Sequence, residues 1–201
     1  MTAPTTSTAP TASPRETRET RETQSTQAPR SSHSSHASRT APAVPSPTEL
    51  RAAWASIPTP ITTLAAVIDG RPVGLIVGSY VGLSLEPALV AVSVQKTSRS
   101  WPLLRTAGHL GISVLTTAHA GLVRQLAGPV DQRFDGITWD SDRDAVLLED
   151  AAVHLTGHIV NELDTGDHVT AVLQVDHLVQ HAPSAAPLVF HGSQITTIGE
   201  L

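Results

Sequence analysis

From Leu50 onward the chain is a succession of short apolar runs rich in Val, Ile, Leu and Thr, each interrupted by Gly, Pro or Asp. Runs of this length, with β-branched residues prominent, read as strands; the punctuation supplies the turns. Residues 61–68 are expected as one strand, Asp69-Gly70 as a hairpin turn, and residues 73–79 as the return. Further strands are expected at 88–94, 111–115, 152–161, 169–178, 187–191 and 194–198. Two helices interrupt them. The first follows Thr97-Ser98, with Pro102 in its first turn, Leu103, Leu104 and Ala107 on its buried face, and Gly108 at its end. The second spans 118–126, with Leu122, Val123 and Leu126 at helical spacing and Gly128-Pro129 as the stop. Two short helices are too few for a doubly wound parallel sheet, so the fold class is mainly β, a barrel with short helical insertions.

Residues 1–48 contrast with this pattern. They hold 20 Ser or Thr and seven Pro, a composition that buries little and reads as a disordered tail, leaving residues 49–201 as the folded domain. Arg-Glu-Thr repeats at 15–23, and the interleaved Glu16, Glu19 and Glu22 argue against a targeting peptide. A core of about 150 residues needs neither disulfides nor a structural metal. The absence of cysteine excludes thiol, zinc-finger and iron–sulfur chemistry. From residue 50 on, eight basic residues face fourteen acidic ones, which disfavours a nucleic-acid partner. No apolar run reaches the roughly 20 residues of a membrane span. The expectation is a soluble cytoplasmic protein.

Most catalytic signatures are missing: no phosphate-binding P-loop, no His-Glu-x-x-His, no Gly-x-Ser-x-Gly, no Rossmann glycine pattern. His154 and His158 share a face of their expected strand, but the sequence places no third ligand, so no metal site is assigned. What stands out is Gly78-Ser79 closing one strand and Lys96-Thr97-Ser98-Arg99-Ser100 following another at the start of a helix. Hydroxyls, free backbone N–H groups and two cations there suit a phosphate. Simple helix capping uses the same residue types, and the residues alone leave both readings open.

An ordered set of segments extends this reading: Asp-Gly-Arg-Pro-Val-Gly (69–74), Gly-Ser-Tyr (78–80), Leu-Ser-Leu-Glu-Pro (83–87), Thr-Ser-Arg-Ser-Trp-Pro (97–102), Asp-x-Arg-Phe-Asp-Gly (131–136), Gly-Asp-His (166–168) and Leu-Val-Phe-His-Gly (188–192). In this order they resemble the flavin reductase domain family, the reductase components of two-component flavin-dependent monooxygenases, over about 150 residues. The resemblance implies an FMN-binding split β-barrel, FMN or FAD as cofactor, NADH or NADPH as co-substrate, a separate oxygenase as partner, and a homodimer. It implies flavin contacts from Val77, Gly78 and Ser79, and ribityl and phosphate contacts from Gln95, Thr97, Ser98 and Ser100. His168 and His191 would lie near the flavin or nicotinamide. Arg133 would either add charge near the flavin or fix its own loop. The sequence departs from the family at Ile76, Gly78 and Gly82, where relatives commonly carry Thr, Asn and Ser. A flavin-binding carrier or sensor without reductase turnover is the alternative that these departures raise.

Overall fold

The computed structural model of the chain describes residues 44–181 and 186–198. The tail expected over 1–48 lies, through residue 43, outside the described residues. A helix not expected from the sequence, α1 (Pro47–Ala55), begins two residues ahead of the expected domain start. Ser46 caps it: its Oγ accepts from the Glu49 N–H at 3.3 Å, and the Glu49 carboxylate accepts from the Ser46 N–H at 2.8 Å, a reciprocal box that stops the first turn from fraying.

Twelve strands follow in the described residues. β1 (Thr59–Pro60), β11 (Leu188–His191) and β12 (Gln194–Thr197) form a three-stranded sheet in the order β1-β11-β12. The larger sheet runs β4 (Val81–Leu85), β5 (Ala88–Gln95), β10 (His168–Gln180), β9 (Val153–Thr165), β6 (Leu110–Val114), β2 (Thr62–Ile68), β8 (Ala145–Leu148), β7 (Trp139–Asp142), with β3 (Arg71–Val77) hydrogen-bonded to β2. Among the described residues every strand pairing is antiparallel, from the β2–β3 hairpin at Asp69-Gly70 to the long β9–β10 hairpin. The mainly β class is therefore what the chain adopts, and β2, β3, β5, β6, β9 and β10 fall close to their expected positions.

β2 is buried on both faces because two core clusters sandwich it. Leu64 and Ala66 face one, with Val92, Leu104, Ile112, Leu155 and Leu173. Ala65 faces the other, with Leu115, Leu126, Phe134, Val146 and Leu148. A strand buried twice reads as a continuous apolar run, and 64–68 does, preceded by the buried Thr62 and Thr63.

β1, β4, β7 and β8 were not expected. β7 reads Trp-Asp-Ser-Asp, too polar for a strand pattern, and β4 inverts the usual alternation by exposing Val81, Leu83 and Leu85. The expected helices are shorter than predicted. The first is one turn, α2 (Trp101–Leu104). The second divides into a 3₁₀ turn at Thr117–His119 and α3 (Val123–Leu126), because the buried His119 ring folds back so that its Nδ1 accepts from the Thr116 N–H at 3.1 Å. Among the described residues no helix is long and apolar enough to cross a membrane.

Candidate functional site

β3 has a partner strand on one side only. Val67 sends its N–H to Asp144 rather than to Pro72 of β3, which fixes the parity of the β2–β3 ladder: Gly74 and Ile76 turn their peptide groups away from β2. β5 lies across the gap without pairing to β3. The chain crosses it at residues 78–80 and resumes as β4 on β5. Ser79 ties the crossing down. Its Oγ donates to the Ser93 carbonyl at 2.8 Å and accepts from the Ser93 N–H at 2.9 Å, taking the place of a neighbouring strand.

The gap is a pocket of about 650 Å³. One wall is residues 75–79, the other Ser93, Val94 and Gln95. Thr97, Ser98 and Arg99 form a rim, residues of the 128–133 loop close it, and His168 enters from the start of β10. Of the residues implied by the resemblance, Val77, Gly78, Ser79, Gln95, Thr97, Ser98, Arg133 and His168 are brought together here. Ser100 stands behind the wall: it is buried, and its Oγ accepts from Arg133 at 3.0 Å. His191 does not line the pocket. It is exposed on β11, whose neighbour Phe190 pairs with Thr59, the residue packed against Gly78.

Three details revise the expected chemistry. Ser100, not Ser98, is the N-cap of α2 and makes no side-chain capping bond; Ser98 supports the helix start from two residues further out, its Oγ accepting from the Trp101 N–H at 3.2 Å, and it lines the pocket as well. Lys96 leaves the anion cluster for a 2.7 Å ion pair with Asp164. A Cβ on Gly78 would meet Thr59 Oγ1 at 2.9 Å, so packing against β1 accounts for that glycine.

Of the two guanidinium groups that line the pocket, Arg99 is exposed and Arg133 is half-buried. Arg133 Nη1 donates to the Gly74 carbonyl at 2.6 Å, and Nε donates to the Gly128 carbonyl at 2.8 Å. Burial pushes its pKa below the ordinary arginine value, and among the described residues no carboxylate lies within 4 Å of it. A desolvated guanidinium without a protein counter-ion fits an anionic ligand. His168 Nδ1 donates to Asp167 Oδ1 at 2.7 Å, and this bond holds the exposed Asp167 carboxyl below its usual pKa. Tied at Nδ1, the ring keeps Nε2 for other contacts.

The pocket therefore offers what a flavin requires: an uncovered main-chain edge for the polar rim of a flat ring, hydroxyls for a polyol chain, and a half-buried cation for phosphate. Ser93, the main-chain edge at Ile76 and the 128–130 loop were missed in the sequence, because the features that place them are the gap between β3 and β5 and the packing of the loop. A family model described as flavin reductase like domain matches residues 54–199, and the chain belongs to that family. The chain is 31% identical over 161 residues to the NADH-dependent FMN reductase AsuE2 of Streptomyces nodosus subsp. asukaensis, covering 77% of this chain and 86% of that one. It is 30% identical over 153 residues to the flavin-dependent monooxygenase reductase subunit HsaB of Rhodococcus jostii, covering 76% and 78%. The NADH:FAD oxidoreductase SgcE6 of Streptomyces globisporus, solved in complex with NAD and FAD fragments, superposes with a TM-score of 0.69 at 25% identity, covering 76% and 92%.

His154 and His158 go separate ways away from this pocket. His158 Nδ1 bonds Asp176 Oδ2 at 2.8 Å, in a cluster with His109 that also receives Arg143, 2.6 Å from His109 Nε2. His154 donates from Nε2 to the Leu148 carbonyl at 2.7 Å, and its Nδ1 lies 2.9 Å from His181 Nε2. Burial is the main cause that holds its pKa below the ordinary histidine value; the Leu148 bond and Asp140 oppose it, and His181 and His119 assist. The unfolded chain therefore binds a proton, below about pH 6.5, that the folded chain refuses, and stability must fall as pH falls through that region. The melting temperature of the wild type is expected to drop between about pH 7.5 and about pH 5.5. His154→Gln should flatten that slope; an unaltered slope would rule His154 out as its source.

Proposed function

We propose that this chain is an NAD(P)H-dependent flavin reductase that moves a hydride from nicotinamide to FMN or FAD and supplies reduced flavin to a separate oxygenase. The observation that carries the reading is the pocket between β3 and β5, which do not pair with each other, with Arg133 in its wall without a carboxylate partner among the described residues and hydroxyls on its rim. Relatives named as an NADH-dependent FMN reductase and as a monooxygenase reductase subunit support it.

A flavin held here supplies the hydride acceptor; the chain supplies position and charge. The outward peptide group of Ile76 offers a donor and an acceptor to the ring edge, and donors at such an edge stabilise negative charge that accumulates on reduction. Thr97 and Ser98 hold the polyol and phosphate end, and Arg133 neutralises it. His168, fixed by Asp167, orients the nicotinamide at the open side. No covalent or acid–base residue is required, because holding two rings about 3–3.5 Å apart supplies most of the advantage. His191 would act only if another subunit brought it to the pocket. A homodimer is supported by β4, an edge strand that exposes Val81, Leu83 and Leu85; a one-subunit mass by light scattering would remove that part. The cytoplasm is where nicotinamide and an oxygenase would meet it.

Purified protein is expected to oxidise NADH or NADPH only when FMN or FAD is added. Rates equal to the protein-free control with every pairing would refute the reductase reading, and flavin binding without turnover would select a carrier. Ser98→Asp keeps an acceptor for the Trp101 N–H but sets a carboxylate against the phosphate. The melting temperature should hold while the flavin dissociation constant rises about tenfold or more; an unchanged constant would leave Ser98 as a support for the start of α2 alone.

A further inference from the structure

Three metal-ligating side chains converge on the large sheet away from the flavin pocket, where β6, β9 and β10 run side by side. Leu110 of β6 pairs with Gly157 of β9, so His109, one residue ahead of β6, stands opposite His158. On the other side of β9, His158 pairs with Gln174 of β10. The β9–β10 register then slips between Val175 and His177, which leaves Asp176 without a partner residue, and a bulge of this kind re-aims the side chain it carries. The Asp176 carboxylate turns onto His158, Oδ2 lying 2.8 Å from Nδ1, and stands 3.7 Å from His109 Nε2. All three ligand atoms lie within 4.8 Å of one another. Side-chain exposures of 26% for His109, 40% for His158 and 21% for Asp176 shelter the cluster yet leave it open to an entering ion.

The cluster already receives a cation. Arg143, at φ 60° in the turn between β7 and β8, places Nη1 2.6 Å from His109 Nε2 and 4.0 Å from Asp176 Oδ2. A guanidinium only donates, so His109 Nε2 accepts, and its lone pair is aimed into the cluster. The Arg143 side chain is 53% exposed and can withdraw into water. His158 donates from Nδ1 to Asp176; with its proton on Nε2 instead, Nδ1 becomes a second imidazole ligand. Two imidazoles and one carboxylate are the donor set of a borderline divalent ion such as zinc, whereas magnesium and calcium take oxygen shells. Donors about 2.0–2.2 Å from zinc stand about 3–3.5 Å apart, a span that the two distances to Asp176 bracket. His109 lies outside any strand, so its ring can close the remainder.

We propose that His109, His158 and Asp176 form a binding site for zinc or a similar divalent ion, with water completing the shell and Arg143 as the cation that the metal displaces. His154, the histidine that the sequence sets four residues from His158, takes no part, being committed to Leu148 and His181. The site is independent of the flavin reductase reading. His168 at the flavin pocket is eight residues away along β10, about 26 Å, so the ion takes no part in hydride transfer. It clips the bulge of β10 to β9 and to the chain entering β6.

The test titrates zinc into the full, untagged chain by calorimetry and records melts with and without it. One zinc per chain is expected to bind with a dissociation constant of about 10 μM or tighter, and zinc at about a hundred times that constant should raise the melting temperature by about 5 °C or more. His109→Ala, His158→Ala and Asp176→Asn should each weaken binding about tenfold or more. Arg143→Gln should tighten it, because a competing cation is gone, and His154→Gln should leave it unchanged. Asp176→Asn is nearly isosteric at an exposed bulge, so it remains informative should the histidine variants fail to fold. Wild-type chain that binds no zinc up to about 100 μM overturns the proposal. So does an affinity that survives the ligand substitutions or is lost in His154→Gln, either of which puts the ion elsewhere. Binding that does not tighten in Arg143→Gln refutes the displacement.

Discussion

Replacing Arg133 by methionine is expected to raise the flavin dissociation constant about a hundredfold. Hydrogen bonds to a charged group contribute about 1.5–3 kcal/mol each, and this side chain makes three to Gly74, Gly128 and Ser100 while facing the pocket. The variant therefore loses both the cation beside a bound phosphate and the clamp that sets the 128–133 loop against β3. Arg133→Lys separates the two. It keeps the charge but not the planar fork. If the charge acts on the ligand, lysine recovers much of the affinity while the melting temperature still falls; if Arg133 only fixes its loop, lysine and methionine are equally poor. Isothermal titration with FMN and a thermal melt provide both readouts, and wild-type affinity in the methionine variant would take Arg133 out of the site.

Gly111→Ala is expected to cost about 3 kcal/mol or more, lowering the melting temperature by about 10 °C or leaving the protein insoluble. β8 passes over β6 at this point. A Cβ on Gly111 would stand 2.8 Å from the Val146 carbonyl carbon and 2.9 Å from its nitrogen, and closer still to its oxygen. All three atoms are backbone, so no side-chain rotation relieves the overlap. Relief requires moving β8, and with it Val146 and Leu148 of the second core cluster. A melt within about 1 °C of the parent would show that β8 does not press on this glycine.

Much of the barrel was legible because its central strands carry period and punctuation together. The hairpin at Asp69-Gly70 and the long β9–β10 pair are marked by turn glycines and apolar runs on both sides. β4 and β7 lacked that signal: one turns its apolar residues outward and the other has few. α1 was hidden by the polar, proline-bearing stretch that opens it, although Ser46 and Glu49 hold the spacing of a capping box. At the site, Ser79, Thr97 and Ser98 were legible as types, but their work was not. The Ser79 hydroxyl is committed to Ser93, fourteen residues away, and no local pattern encodes that contact. Ser98 is not the cap itself, which is Ser100, but its oxygen accepts from the Trp101 N–H at the start of α2 while the residue lines the pocket. Lys96 and Asp164 show the converse: a charge placed in the cluster by sequence is drawn off by a residue that pairing brings beside it.

The bare edge of β3 also bears on how such a site can be inherited. Peptide N–H and C=O groups are the same whatever side chain hangs from them, so a ring held at Ile76 through the backbone, as proposed, would be indifferent to whether that position encodes isoleucine or a hydroxyl-bearing residue. Lineages are then free to drift along this stretch while the grip persists. What selection would have to hold fixed is the geometry that keeps the edge uncovered, and that burden falls on residues such as Ser79 and Ser93, which tie the crossing chain to β5.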